Sequence, residues 1–347
     1  SPPQWPFTVV PMLPHRTLSL IPESKVSFQL DLNRVKNIYE GTQLPRHYRF
    51  KIAPTYSETV ETLLSLLAKA EKGHLRITGD LETRGGHIAC LGIAWSAEDA
   101  ICIPFITTND ASPFYWTVEE ETDIIALVAQ VFMHPNIESG GQNYLYDCQY
   151  YWRHWGFLPS SVRDTMVGHH ALYSNLRKGL DYLSSMYAQD HIYWKDEIKE
   201  WDPTIGEKQY WIYNCKDACI TWEIWPEVLS TLLNAPPSPE NDRWQNHFSF
   251  QQRLFFPVLR MMNRGIRIDT SLREEIRLQL IKAGIDRQEK LEFVVSHPLN
   301  VNSSTQLKKL FYDDLKLPAA RNFKTGNLTA DANALALFAQ QEPMLKP

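Results

Sequence analysis

Hydrophobic positions repeat at two different periods along the chain, and the alternation between the two predicts the fold. Ser57–Ala70 places apolar residues at helical spacing behind a capping-box pattern at Ser57. Shorter apolar runs follow, separated by Gly85-Gly86 and by the polar segment 96–99, and they predict strands. These strands are Leu75–Asp80, Ile88–Trp95 and Ala100–Ile106. Helical spacing then returns and predicts helices at Thr117–Met133, Leu145–Trp155, Thr165–Tyr173, Leu180–Tyr187 and Glu207–Leu233. The fold class is therefore α/β, a mixed sheet flanked by helices.

Two segments outside this pattern suggest the domain limits. Residues 1–50 are rich in proline, and within them Lys25–Leu32 alternates like a strand, which predicts an irregular arm of unknown role packed on a neighbour. Asn234–Asp242 (NAPPSPEND) has the composition of a linker. We therefore predict an arm at 1–50, a first domain at 51–233, a linker at 234–243 and a helical region at 244–347. Helices are predicted in the last region at Arg243–Asn263 and Ser271–Ser296, on either side of a break at Gly265–Asp269.

Composition narrows the classes of protein to which the chain can belong. The 347 residues carry 35 Lys and Arg against 40 Asp and Glu, a net charge of -5, which excludes nucleic-acid binding through bulk positive charge but not through local patches or bound cations. The longest apolar stretch, near Ile124–Met133, is well short of the roughly 20 residues that a membrane span needs. Five cysteines form no C-x-x-C pair and no zinc-site spacing, which predicts buried thiols in a reducing compartment.

Acidic residues at the end of the first predicted strand are the strongest candidates for chemistry. Asp80 and Glu82 are two apart, so a strand directs both side chains to one face. Adjacent carboxylates raise each other's pKa unless a cation lies between them, and a magnesium or manganese site follows as a hypothesis. About one D-x-E is expected by chance in this composition, so the pair alone is weak. Asp147 and the pair Tyr213 and Asp217, which share a helix face, have solvated acids or helix caps as their alternative.

The order of these patterns and their flanking sequences carry more information than each pattern alone. A D-x-E, then N-x-x-x-D, then Y-x-x-x-D, with GQNYLYD, RDTMVGHHALY, KGLDYLSSMY and YNCKDACITWEIW around them, resembles the 3′–5′ exonuclease domain of family A (DNA polymerase I type) DNA polymerases. AICIPF, YWKDE and YNCKDA look like bacteriophage members of that family. Beyond the linker, FPVLRMMNRGIRID, LNVNSSTQLKKL and KTGNLTADANAL resemble the polymerase thumb. The resemblance covers residues 51–347.

The resemblance implies a ribonuclease H-like exonuclease fold, followed by an α-helical thumb-like region. It also implies proofreading hydrolysis of the 3′ end of single-stranded DNA with two divalent ions, Mg²⁺ or Mn²⁺. By resemblance, Asp80, Glu82 and Asp217 hold the first ion, and Asp80 and Asp147 reach the second. Tyr213 would orient the attacking water, and Glu82 could accept its proton.

Further residues are candidates for contact with nucleic acid. Those beside the acids could stack on or wedge the last bases of a frayed strand, with ordinary core packing as the alternative. They are Leu81, Thr83, Asn143 and Tyr146. Those in the tail suit phosphate contact without base reading, with a solvated surface as the alternative. They are Lys308, Lys309, Arg321 and Lys324.

The resemblance ends at the thumb, before the palm and fingers that carry the polymerising aspartates. We therefore expect a fragment, or one half of a split polymerase, that acts with a palm and fingers module on the same or a separate chain and with primer-template DNA. The expected location is the cytoplasm, of the host if a phage encodes the chain. One alternative is a free-standing ribonuclease D-like exonuclease that acts on RNA. The other is an exonuclease-like scaffold without activity, which would be expected to have lost one of the carboxylates.

Overall fold

This computed structural model describes residues 24–42, 46–108, 112–188, 194–197, 206–234, 241–322 and 326–341, together with Met12 and His15. The chain divides into two compact units, Ser1–Gly265 and Ile266–Pro347. Each unit has its own hydrophobic core. The two units are therefore described separately.

A six-stranded mixed sheet forms the centre of the first unit. Its strands are β1 Arg49–Lys51, β2 Leu75–Arg84, β3 His87–Ala94, β4 Asp99–Pro104, β5 Ile137–Gly141 and β6 Val162–Asp164, in the order β1-β4-β3-β2-β5-β6. The meander β2-β3-β4 is antiparallel, whereas β1, β5 and β6 join it through parallel pairings. The three predicted strands and the α/β class are confirmed. The sequence pattern missed β1, β5 and β6, which have only three to five residues each.

Eight helices in the described part of this unit surround the sheet. They are α1 Ser24–Tyr39, α2 Tyr56–Lys72, α3 Val118–Met133, α4 Leu145–Tyr150, α5 Thr165–Leu172, α6 Leu180–Tyr187, α7 Lys208–Asn234 and α8 Asn241–Arg264. A π-helical turn, Tyr151–Trp155, continues α4. The predicted capping residue of α2 was wrong, because Thr55 rather than Ser57 exchanges hydrogen bonds with Glu58 in a capping box.

The strand-like reading of Lys25–Leu32 was wrong, because this segment lies in α1. Its alternation extends over only four apolar positions, and a longer window shows the helical period. The less exposed residues of α1 include Phe28, Asp31, Val35 and Ile38, which recur every three or four residues. This face explains why α1 packs beside α6 as a helix rather than an irregular arm.

The two faces of the sheet bury different kinds of side chain. On the face toward α2 and α3, large side chains of the sheet such as Leu91 pack against large side chains of the helices such as Leu63 and Phe132. The opposite face packs against α7 through small residues, including Ala89, Cys90 and Cys215. All five cysteines lie in the described part of the chain, and they are buried and free of disulfide bonds, as predicted. Small residues on this face let α7 approach the sheet closely.

The second unit is helical. Its elements are α9 Thr270–Val295, α10 Ser304–Lys308 with a π-helical turn at Lys309–Asp314, and α11 Ala332–Gln341. Its core is formed by Leu299, Leu310, Phe311, Ala334 and Phe338, and every residue of α9 is at least partly exposed. The predicted break at Gly265–Asp269 is confirmed, and Asp269 caps α9 by accepting from two backbone N–H groups. Among the described residues, every helix is too short or too polar to cross a bilayer.

Candidate metal centre and active site

Three carboxylates from two elements meet on the α7 face of the sheet. Asp80 and Glu82 both point from β2 to this face, and Asp217 comes from α7. One oxygen of each lies within 4.8 Å of the others. Leu81 points to the opposite face, as the strand period requires, and its side chain belongs to the large aliphatic core. The predicted convergence of Asp80 and Glu82 is therefore present, and Asp217 completes the group.

A missing side chain on β3 allows α7 to reach this position. Gly92 lies opposite Asp80 in the antiparallel pairing of β2 and β3. A Cβ at residue 92 would lie 2.6 Å from Asn214 Oδ1, so only glycine leaves room for Asn214. Asn214 donates through Nδ2 to Asp80 Oδ2 at 2.8 Å and to the Asp80 carbonyl at 2.9 Å. The close packing of α7 on the sheet thus holds the Asp80 side chain in place through Asn214. It also brings Asp217, one helical turn after Asn214, next to Asp80.

Asp147 approaches the same site from the other edge of β2. Strand β5 pairs with β2 only as far as Thr78, and beyond that point Asp147 Oδ1 accepts from the backbone N–H of Leu81 at 2.7 Å. Asp147 is 4 % exposed, and burial followed by the charge of Asp80 raises its pKa well above the usual range. It is therefore held against the backbone between Asp80 and Glu82, at the border of the carboxylate group.

The Asp164 carboxylate, which the sequence analysis did not single out, positions the segment that carries Asp147. Asp164 accepts hydrogen bonds from the backbone N–H groups of Asn143, Tyr144, Met166 and Val167. It is the N-cap of α5 and holds Asn143 in the left-handed region with φ 55°. Burial raises the pKa of Asp164 to about 6, although the four donors oppose the shift. A D-T pair before a helix is a common cap signal and does not reveal this long-range role.

Two residues of a short segment before α7, Trp194 and Lys195, also contact the carboxylate group. Trp194 is almost fully buried and donates from Nε1 to Asp217 Oδ1 at 2.5 Å. The Lys195 ammonium donates to Asp217 Oδ2 and to the Tyr213 hydroxyl oxygen, the latter at 2.7 Å. Asp217 thus carries a donor on each oxygen. Neither contact could be found from sequence spacing, because Trp194 and Lys195 come from a separate segment.

The electrostatics of the three carboxylates favour a bound cation. Burial and the charge of Asp217 raise the pKa of Asp80 to about 7, while burial and the charges of Asp80 and Asp217 raise that of Glu82 to about 8. Burial likewise raises the pKa of Asp217, against the opposing effect of Lys195. One ammonium cannot balance three carboxylates. Oxygen-only ligands of this kind fit hard divalent ions such as Mg²⁺ and Mn²⁺.

Comparison with known proteins decides the family. Residues 52–232, just over half of the chain, match the sequence model of the 3′–5′ exonuclease domain of DNA polymerase A. The chain belongs to this exonuclease family. The matched range contains all five residues proposed for catalysis, and the two-unit division places every helix and strand of the match in the first unit.

Individual relatives of this exonuclease are distant. The thermostable DNA polymerase I of Thermus thermophilus is 27 % identical over 116 residues, which are 33 % of this chain and 14 % of that polymerase. Among solved structures, the catalytic core of RRP6 from Trypanosoma brucei has a TM-score of 0.44 and 15 % identity, over 60 % of this chain and 52 % of that chain. The Pol domain of Pol1 from M. smegmatis, in complex with DNA primer-template and dNTP, has a TM-score of 0.45 and 17 % identity, over 86 % and 46 %. The chain thus spans about a seventh of the Thermus polymerase.

The structure separates the predicted nucleic-acid contacts of this exonuclease into two groups. Next to the carboxylates, the hydroxyls of Thr83 and Tyr146 are hydrogen bonded at 2.8 Å, Tyr146 is exposed, and Asn143 is exposed beside it. Leu81 is 5 % exposed, so only its backbone faces the site. The second group lies in the second unit, where Lys309 and Arg321 are exposed, Lys308 is half-buried, and Lys324 is outside the described residues.

Proposed function

We propose that this chain removes nucleotides from the 3′ end of single-stranded DNA, as the proofreading part of a family A DNA polymerase. The observation that carries the proposal is the carboxylate group of Asp80, Glu82 and Asp217, whose oxygens lie within 4.8 Å of one another. A two-metal mechanism of phosphodiester hydrolysis needs closely spaced carboxylates of this kind to hold its divalent ions. The inactive-scaffold alternative is disfavoured, because all four carboxylates and the tyrosine are retained.

The proposal assigns metal binding, orientation of the attacking water and proton transfer to named residues of the site. Asp80, Glu82 and Asp217 would hold the first ion, and Asp80 with Asp147 the second. When bound, the ions would supply a nucleophilic water at neutral pH and offset the charge that develops on the phosphate. Tyr213 would orient that water through its hydroxyl. Glu82, ionised when the first ion is bound, could accept the proton of that water.

Replacing Tyr213 with phenylalanine tests the water-orienting role. We expect Tyr213→Phe to slow hydrolysis about a hundredfold, because the variant keeps the ring packing but loses the hydroxyl. Metal affinity should remain close to wild type, since the proposed ligands are carboxylates. Single-turnover digestion of a 5′-labelled oligonucleotide measures the rate, and calorimetry with Mn²⁺ measures the affinity. A wild-type rate would show that the hydroxyl does not take part.

Three rings that lead away from the carboxylates, two of them exposed and the ring of Tyr150 half-buried, support a single-stranded substrate. Tyr146, Tyr150 and His154 follow one another at the spacing of a helical turn, with ring centroids 5.1 and 5.4 Å apart. His87, the first residue of β3, meets His154 edge to face at 5.7 Å. Ring faces accept any base by stacking, whereas a duplex keeps its bases enclosed.

These rings predict that the effect of a substitution depends on the length of the bound oligonucleotide. We expect Tyr150→Ala and His154→Ala each to weaken the binding of a single-stranded oligonucleotide about tenfold, which corresponds to one lost base stack. Binding of a dinucleotide, which would end near Tyr146, should not change. Fluorescence anisotropy in EDTA measures both, with Tyr39→Ala on the exposed face of α1 as the control. Equal weakening of both ligands would contradict this assignment.

The polymerase context is the second part of the proposal. The similarity to Thermus DNA polymerase I supports it, as do the thumb-like motifs of residues 256–335. The polymerising carboxylates are then expected on a palm and fingers module, on the same or a separate chain, that holds primer-template DNA. The bacteriophage-like motifs extend the proposal to a phage polymerase at work in the host cytoplasm.

Digestion and extension assays test the proposal together. The chain with Mg²⁺ or Mn²⁺ should shorten 5′-labelled single-stranded DNA one nucleotide at a time, and it should trim a mismatched primer end faster than a matched one. Primer extension by the chain alone should give no product, and adding the palm and fingers module should restore it. Faster digestion of RNA than of DNA would favour the ribonuclease D-like alternative. Equal rates on matched and mismatched ends would contradict proofreading.

A further inference from the structure

Lys195 is a charged residue at the active site to which the proposed chemistry gives no task. Its ammonium donates to Asp217 and to the Tyr213 hydroxyl oxygen and lies 4.8 Å from the centre of the Tyr213 ring. The side chain is mostly buried. A buried ammonium is costly unless it is paired, and here both partners belong to the proposed catalytic group.

The backbone around Lys195 is anchored on both sides. On one side, the buried Trp194 indole donates to Asp217 Oδ1. On the other, the Glu197 carboxylate accepts from Lys216 of α7 at 2.7 and 2.8 Å. These contacts place the ammonium at the site through the fold of the segment. They distinguish it from a long surface side chain that reaches an acid by chance.

The charge of Lys195 extends to the other two carboxylates. It lowers the pKa of Asp80 and Glu82 against the larger effect of burial, so the ammonium lies within electrostatic range of both. The Lys195 ammonium thus lies among the carboxylates that a metal ion would bind. A divalent ion that binds between the carboxylates would also meet the repulsion of this ammonium.

The ammonium also fixes the direction of the Tyr213 hydroxyl. An ammonium only donates hydrogen bonds, so the Tyr213 oxygen must accept from it. The phenolic proton then points away from the ammonium, where Asp217 is one acceptor within reach and a water bound among the carboxylates would be another. Without Lys195, the hydroxyl would keep Asp217 as a partner but would lose the donor that fixes its oxygen as an acceptor.

We propose that Lys195 is a positioning residue with two linked effects. It serves as the internal cation of the metal-free carboxylate group, in competition with the metal ion, and it directs the Tyr213 hydroxyl toward the attacking water. The second effect rests on the proposed hydrolytic function, whereas the first does not. Lys195 therefore lowers the affinity of the site for the metal ion and at the same time orders the Tyr213 hydroxyl.

The first test uses metal binding and stability, which need no nucleic acid. Lys195→Met retains the length and apolar stem of the side chain but removes the charge. We expect it to bind Mn²⁺ about tenfold more tightly at pH 8.5, where the carboxylates are mostly ionised, as measured by calorimetry. In EDTA its melting temperature should fall below wild type, and saturating Mn²⁺ should narrow the difference. Lys51→Met, which removes a lysine bonded to Thr62 away from the site, should change neither quantity.

The second test separates positioning of Tyr213 from general damage. Lys195→Met should lower kcat about tenfold with little change in KM, and the same substitution in a Tyr213→Phe background should lower kcat no further. Lys195→Arg retains the charge and should show wild-type Mn²⁺ affinity.

Several outcomes would overturn the proposal. Unchanged or weaker Mn²⁺ binding by Lys195→Met would exclude competition with the metal. Additive losses of kcat in the double variant would exclude the action through Tyr213. If Lys195→Met does not fold, Lys195→Gln takes its place in all three measurements, with the same expected results. Tighter Mn²⁺ binding without hydrolysis of any strand would contradict the proposed function while supporting the internal cation.

Discussion

Asp80→Asn combined with Glu82→Gln should abolish metal-dependent hydrolysis. The substitutions retain side-chain size but remove two of the three charges that lie within 4.8 Å of one another. Loss of the metal would remove several kcal/mol of transition-state stabilisation, so we expect the rate to fall at least about a thousandfold. Digestion of a 5′-labelled oligonucleotide under single-turnover conditions measures the fall.

The same variant should be more stable than wild type in EDTA at pH 8.5, because it no longer buries two mutually repelling carboxylates. Loss of hydrolysis together with a gain in stability would show that the variant has lost catalysis and not its fold. Glu61→Gln with Asp123→Asn removes two carboxylates from the surface of α2 and α3 and serves as the control. Retention of more than about a tenth of the wild-type rate by the site variant would refute the assignment of Asp80 and Glu82 as metal ligands.

The stability of the metal-free protein should fall as the pH rises from about 5 to about 8.5. The pKa values of Asp80 and Glu82 are raised to about 7 and about 8, so the folded state binds more protons than the unfolded state across this range. The unfolding free energy then decreases with pH, by several kcal/mol in total for two such groups. Metal binding replaces the protons, so Mn²⁺ should raise the melting temperature far more at pH 8.5 than at pH 5.5.

Thermal unfolding at both pH values, with EDTA or with Mn²⁺, checks this expectation. Other groups also titrate, so the informative quantity is the difference between wild type and the Asp80→Asn, Glu82→Gln variant. That difference should shrink toward pH 5, where the wild-type carboxylates are protonated. A pH-independent difference would show that the two carboxylates do not carry raised pKa values in the folded protein.

The sequence predicted those parts of the site that depend on local geometry. Asp80 and Glu82 share a face because a strand has a period of two, and Tyr213 and Asp217 share one because they are a helical turn apart. The resemblance to the exonuclease family, carried by their order and flanking motifs, then implied that the two pairs meet. The structure brings them together, although the roles of the individual residues stay predictions.

Residues that act across long sequence distances escaped prediction. Asn214 reaches Asp80 only because Gly92 lies opposite Asp80, which depends on the pairing of two strands and the depth of a helix. Lys195 contacts Asp217 from a separate segment. No local period encodes either contact, since each depends on packing between elements that are far apart along the chain.

The fold itself shows the same limit. The long central strands and most helices carry enough residues to show a period, but β5 (Ile137–Gly141) has five residues, two of them glycine. Alternation over a few apolar positions also predicted a strand where α1 forms. Short patterns fit both periods, and tertiary packing decides between them.

The hydrogen bonds of Asp164 predict how the backbone on either side of it opens to solvent. Its single carboxylate binds four backbone amides, two before α4 and two at the start of α5. These amide protons share one acceptor group, so they should exchange with solvent deuterium at closely similar rates, in one concerted opening event. The opening would also release the start of the helix that carries Asp147. The lifetime of this one hydrogen-bonded cluster would then set how long the complete carboxylate site persists between openings.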